Sequence, residues 1–190
     1  MKSTALADGV TREELHLRRI EMRGWRRSDG LFEVEGQLID TKPHDFVPLR
    51  GGTLVKAGLP LHDLGLRITF DADLVVQAVV TFTRSAPYDM CPEGGRALQS
   101  LVGLRMAGGW GQAVRSRLER ADSCTHLREL LVPMATVAHQ ALSFRLRDQP
   151  ERLDATGKPV RIDSCYAYSA ERSLVQKLWP DFHRPPDKSD

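Results

Sequence analysis

Lysine is scarce in this chain, cysteine is scarcer, and long apolar runs are missing altogether. No stretch approaches the about 20 consecutive apolar residues that a membrane-spanning helix needs, so no membrane role is expected. The opening residues, MKSTALADGVTREEL, hold no apolar run of the length a secretory signal uses. The expected location is therefore cytoplasmic. Three cysteines, an odd number, suit a reducing compartment better than a disulfide framework. Thiols in such a compartment are buried, catalytic or metal-bound. There is no G-x-G-x-x-G after a strand, no P-loop and no G-x-S-x-G elbow, which disfavours three common enzyme classes. With a formal net charge of +2 and no long basic block, no nucleic-acid partner is expected.

What is present suits one α+β domain. A hydrophobic share of 41% over 190 residues supports a real core. The boundaries read as a mobile N-terminal segment over 1–14, a single domain over 15–183 and a disordered tail over 184–190. The basic residues are nearly all arginine, whose planar fork suits carboxylate or phosphate, although a GC-rich genome produces the same bias. The densest basic patch, RGWRR (Arg23 to Arg27), reads as a solvated strand face with one anchoring tryptophan.

Periodicity then places the elements. HLRRIEMRGW and LFEVEGQLID alternate with a period near two and flank a turn at Asp29-Gly30, which makes a β-hairpin. Phe32, Val34 and Leu38 share one face of its second strand. Residues Thr41 to Gly65 are rich in proline and glycine and read as a long loop, with a short strand at Thr53 to Lys56. LRITFD and LVVQAVVTFTR form a second hairpin around Asp71 to Asp73, with Val76, Ala78, Val80 and Phe82 facing one way. After Pro87 the period becomes helical. Leu98, Leu101, Val102 and Met106 mark one helix, which stops at Gly108-Gly109. Trp110, Val114 and Leu118 mark a second. Leu127, Leu130, Leu131, Met134, Val137, Ala138 and Ala141 mark a long third helix, with a kink expected at Pro133. A loop follows, then a last strand or short helix over SCYAYSAERSLVQKLWPDF. Strands first and helices after predict an antiparallel sheet formed by the N-terminal half, with C-terminal helices packed on one face.

Two of the three cysteines fall at predicted helix starts. Cys91 precedes Pro92, a good first helical residue, and so reads as an N-cap. Cys124 sits in ADSCTHLREL, with Asp122 or Ser123 as cap. A helix N-terminus offers unpaired N–H groups and partial positive charge, and both favour a thiolate. Each cysteine has an equally open second reading, as a small residue filling the core. Cys165, in IDSCYAY, reads first as core. His126 follows Cys124 by two residues, and on a regular helix their side chains diverge by about 200°. They converge only if Cys124 lies in an irregular first turn. His62, read on the long loop, is followed by Asp63, and a carboxylate there can orient an imidazole. His44-Asp45 is a second such pair, and His139 reads as a helix-surface residue. The metal-ligand set to test is Cys91, Cys124, His126, His62 and Cys165, although no C-x-x-C spacing supports it.

The stretches RRSDGLFEVEGQLIDTK, GLPLHDLGLRITFD, PYDMCP and CTHLRELLVPMATVA together resemble a family of bacterial domains of unknown function, over about Arg18 to Trp179. That resemblance implies a small cytosolic bacterial protein and no particular chemistry. The order of strands, a helix led by Cys91 and a helix led by CTHLREL is also similar to the iron–sulfur scaffold and sulfur-acceptor proteins of the IscU, NifU and SufE type. By that resemblance Cys124 takes the cysteine place of the late helix and Cys91 that of the earlier one. The scaffolds' first cysteine is missing here, and His62, Asp63 or Cys165 would have to substitute.

Three functions follow from these residues. The first is a thiolate site at two helix N-termini that holds zinc or an iron–sulfur cluster, or carries sulfur. The second is a non-catalytic module for a small organic acid, with Trp25, Trp110 and Trp179 lining a pocket and Arg50 or Arg67 on the carboxylate. The third is a cysteine hydrolase or transferase with Cys124 as nucleophile and His126 or His62 as base. A protein partner or a homodimer is compatible with each.

Overall fold

The strand-then-helix order predicted above is the order the chain adopts. The computed structural model describes residues 3–5, 9–49, 52–118, 121–146 and 150–185. Within the segment read as a lead-in, β1 (Ser3–Ala5) pairs antiparallel with β2 (Thr11–Glu13). Four long strands follow: β3 (Leu17–Arg26), β4 (Phe32–Thr41), β5 (Pro60–Phe70) and β6 (Val76–Ser85). They form an antiparallel meander in the order β3-β4-β5-β6. A 3-10 helix (Cys91–Leu101), α1 (Trp110–Arg117) and α2 (Thr125–Ala141) come next. The α+β class, an N-terminal antiparallel sheet with helices packed on it, is thus the fold.

Alternation explains which face the helices cover. Along β4, Phe32, Val34, Gly36, Leu38 and Asp40 are all buried, and the residues between them are half-buried. These positions lie opposite Phe70, Ile68, Leu66, Leu64 and His62 of β5. A period of two puts each set on one face. That face therefore runs from Phe32 and Phe70 at one end to two polar residues, Asp40 and His62, at the other.

Helix α2 lies across this face, and its own apolar stripe of Leu127, Leu130, Leu131, Met134 and Ala138 is buried there. Its direction follows from where small residues admit it. A Cβ on Gly24 would fall 2.8 Å from Ala141 Cβ, and one on Gly36 would fall 2.8 Å from Met134 Sδ. Closer to its start, Glu129 pairs with Arg18 of β3. The helix N-terminus is thus set at the Asp40–His62 end of the sheet. Trp110 locks α1 to α2 by donating its indole N–H to the Leu131 carbonyl at 2.9 Å.

Four sequence expectations change. β5 begins at Pro60, so residues 60–65 are strand, and His62 is an inward strand residue instead of a loop residue. The proline and glycine content around Pro60 and Gly65 masks this, because strand interiors seldom carry them. On β6, a register shift between Thr69 and Phe70 leaves Gln77 unmatched. Val76 and Val79 are buried as a result, while Ala78 and Val80 are exposed, because one extra residue flips the side chains beyond it. Residues 91–101 are a 3-10 helix capped by Met90, with Cys91 as its first residue. The cap of α2 is Cys124 itself.

The chain forms two compact units, Met1–Phe144 and Arg145–Asp190. The turn of helix α3 (Ser143–Leu146) carries the chain from one to the other. In the second unit, Ile162, Ala170 and Val175 form a small core with Trp179 and Phe182 against it. Its last stretch is helical, α4 (Ser173–Leu178). Residues 186–190 of the expected tail lie outside the described residues, as do residues 1–2 and 6–8 of the expected lead-in. Among the described residues no helix is long and apolar enough to cross a membrane.

The closest backbone approach in the sheet generates a prediction. A Cβ on Gly65 would collide with the Gly36 carbonyl oxygen of the neighbouring strand and with the Phe82 ring. Backbone cannot step aside cheaply, so Gly65→Ala should lower the unfolding free energy by about 1–3 kcal/mol, as read by chemical denaturation.

Candidate functional site

At the end of the inward stripe of β4, the carboxylate of Asp40 is 1% exposed. Removal from water disfavours its charged form. Four donors reverse that effect. The Arg18 guanidinium, across the strand pair on β3, donates from Nε to Oδ1 and from Nη2 to Oδ2, both at 2.8 Å. His16 Nε2 lies 3.1 Å from Oδ1, and His62 Nδ1 lies 2.9 Å from Oδ2. A carboxylate has roughly four lone-pair sites, and here each has a donor. Burial alone would push Asp40 up, but Arg18, His16 and His62 together hold it at about 2, below its ordinary 3.8.

Those bonds fix His62 in turn. With Nδ1–H donated to Asp40, its Nε2 keeps a lone pair. Burial first, and the neighbouring His126 second, lower the affinity of His62 for a proton against the opposing pull of Asp40. The ring is therefore held neutral near pH 7. Register shifts flank it, between Asp40 and Thr41 on one side and between Asp63 and Leu64 on the other. Such bulges re-aim side chains at sheet ends.

His126, on the first turn of α2, packs against His62 with ring centroids 4.0 Å apart and planes inclined by 39°. Its Nδ1 lies 3.9 Å from Cys124 Sγ. The two side chains meet because Cys124, as cap, has extended backbone (φ −63°, ψ 123°) and is not yet helical. Cys124 is itself held in place, its N–H donating to the Gly94 carbonyl at 2.9 Å. Its half-buried position raises the thiol pKa, but the His126 side chain and the N–H groups of Leu127 and His126 outweigh this and leave it below the ordinary value.

The structure thus joins three of the expected site residues, Cys124, His126 and His62, into one row ending on Asp40. Cys91 is half-buried and lies three residues before Gly94, which is the residue that touches Cys124. Cys165 is exposed and belongs to the second unit. Among the described residues, the one group of three or more ligand-type side chains with donor atoms within 4.8 Å of one another is Asp40, His62 and His126. Asp63, expected to orient His62, instead faces the opposite side of β5 and accepts from Gln37 at 2.6 Å. Of the residues assigned to an organic-acid pocket, Trp110 is in the core and Trp25 is exposed on β3. Trp179 belongs to the second unit. Arg67 is already paired with Glu33 and Glu35, and Arg50 lies outside the described residues.

Sequence reasoning missed Asp40, Arg18 and His16. The signal was a charged residue at the fifth inward position of an otherwise clean alternation, where the next inward residue should be apolar.

Fold and site define a class: an antiparallel sheet crossed by one long helix, with a thiol and two imidazoles at the helix start and a buried carboxylate behind them. By its match over residues 16–140, the chain belongs to the family described as protein of unknown function (DUF2889). The matched span holds every residue of the row. No curated protein and no solved structure matches the chain.

The depressed Asp40 predicts acid sensitivity. A carboxyl whose folded pKa lies below its unfolded one stabilises the fold above about pH 4, and that contribution disappears as pH falls towards 2. Asp40→Asn should therefore cost on the order of 2 kcal/mol at pH 7. Denaturation series at several pH values should show the gap between variant and wild type closing below pH 4.

Proposed function

We propose that the chain is a cysteine-dependent group-transfer enzyme, an acyl transferase or hydrolase in which Cys124 is the nucleophile. One observation carries the reading: Cys124 Sγ lies 3.9 Å from His126 Nδ1, in a row continued by His62 and Asp40. A nucleophile beside a base, with the base backed by a further group, is the arrangement covalent catalysis requires. His126 takes the thiol proton. His62, held neutral and pinned by Asp40, offers that ring a face without a competing charge. The thiolate then attacks an electrophilic carbonyl carbon, forming a C–S bond and moving the π electrons onto oxygen. Collapse expels the leaving group, which takes its proton from His126, and leaves a thioester for water or another acceptor. First-turn N–H groups of α2, which lack intrahelical partners, are suited to the transient oxyanion.

A metal-binding reading has its own observation, the closeness of Asp40, His62 and His126 donor atoms. One feature weighs against it: both Asp40 oxygens are already filled by Arg18, His16 and His62. An iron–sulfur cluster has less support still, because Cys124 is the one thiol bonded into the row.

Acylation by p-nitrophenyl acetate tests the proposal. The wild type should release one equivalent of nitrophenol in a burst and carry acetyl on Cys124 by peptide mass spectrometry. Cys124→Ser should show no burst, and His126→Ala should slow it by about 10²-fold or more. A burst that survives in Cys124→Ser would refute the nucleophile. Stoichiometric zinc binding lost in His62→Ala but kept in Cys124→Ser would favour the metal instead.

A further inference from the structure

The two edges of the four-stranded sheet differ. β6 is closed by the segment that follows it. Gln99 donates to the Val79 carbonyl at 2.7 Å. The Val76 N–H donates to the Leu104 carbonyl and the Val76 carbonyl accepts from the Gly103 N–H, both at 2.8 Å. β3, the other edge, has no such cover. It pairs with β4 along its full length without a register shift. Among the described residues, no backbone group of residues 15–25 bonds outside that ladder. A long regular edge is a template for a further strand, and β3 has no proline, lysine or bulge to block one.

The large apolar side chains exposed along this stretch are Leu15, Ile20 and Trp25. They are evenly spaced, with Ile20 at the centre, and that symmetry suits a partner of the same sequence. When a strand pairs antiparallel with its own copy, the residue on the twofold axis fixes every other pair. With Ile20 on the axis, Leu15 meets the partner's Trp25, Arg19 meets the partner's Glu21, and Glu14 meets the partner's Arg26. Leu17 then faces the partner's Arg23, Arg18 the partner's Met22, and His16 the partner's Gly24, so no like charges are opposed. Opposite charges facing across strands stabilise the pair, and like charges destabilise it. The neighbouring registers fail on that ground. Centring on Arg19 or Glu21 sets that charge against itself, and centring on Met22 sets Arg18 against the partner's Arg26. Glu21 has Arg23 of its own strand on one oxygen, which leaves the other for the partner's Arg19.

We infer that the chain forms a twofold homodimer through β3, with Ile20 on the axis, joining two four-stranded sheets into one antiparallel sheet of eight strands. The paired stretch includes His16 and Arg18, both donors to Asp40, so the interface flanks the anchor of the site. The inference does not depend on the nucleophilic reading of Cys124.

Sedimentation of the full-length protein tests it. At about 100 μM the wild type should have twice the chain mass of 21.3 kDa. Arg19→Glu alone, or Glu21→Arg alone, opposes like charges at two symmetric positions and should weaken the dimer about tenfold or more. Combining Arg19→Glu with Glu21→Arg exchanges the charges and should restore the affinity to within about threefold. Restoration is specific, because only the Ile20 register opposes these two residues. Hydrogen exchange of the unsubstituted protein is a second readout, and it decides the matter if a variant fails to fold. Residues 17–26 should exchange more slowly at high protein concentration than at low, with residues 60–70 unchanged. A monomer mass at the high concentration overturns the dimer. A dimer indifferent to both single substitutions, with no concentration dependence in β3, overturns this interface. Single losses that the combined exchange does not restore overturn the Ile20 register.

Discussion

A single buried carboxylate organises this protein's candidate site. Asp40 takes the last inward place on β4, where Phe32, Val34 and Leu38 lead the eye to expect another apolar side chain. Its desolvation is offset only because Arg18 closes on both oxygens while His16 and His62 take the remaining positions. Removing one donor would leave a buried charge partly unsatisfied, which costs more than a surface ion pair gains. The cluster therefore ties β3 and β5 to β4 at one end of the sheet. Through the second contact of Arg18, on Glu129, it also ties down the first turns of α2.

From that anchor the order of the site follows by contact. Asp40 fixes the ring orientation of His62, His62 packs against His126, and His126 meets the thiol of Cys124. The helix can reach that position because Gly24 and Gly36 leave room along its length and Gly94 leaves room at its start. Packing and chemistry are thus linked. The apolar face of α2 supplies the stability, and its N-terminus supplies unpaired N–H groups where a thiolate benefits from them.

How far the sequence could be read depended on whether the signal was local. Alternation in FEVEGQLIDT and the apolar stripe from Leu127 to Ala141 were plain, so the sheet, the helices and their order were legible. The cysteine and histidine of CTHL were legible as a candidate site because a helix N-terminus favours a thiolate. What was hidden came from pairing between distant segments. His62 looked like a loop residue because Pro60 and Gly65 flank it, and only register with β4 shows it beside Asp40. Arg18 and Asp40 lie 22 residues apart, with no spacing rule to connect them. The bulge opposite Phe70 turned Ala78 and Val80 of the expected β6 face outward.

The account requires a particular protonation state in the middle of the row: His62 neutral, with its proton on Nδ1 facing Asp40. Nitrogen-15 NMR of the histidine-labelled protein at neutral pH reads that directly. The account predicts a protonated Nδ1 and a bare Nε2 for His62, with the Nδ1 resonance displaced in Asp40→Asn. A His62 ring protonated on both nitrogens, or carrying its proton on Nε2, would contradict it.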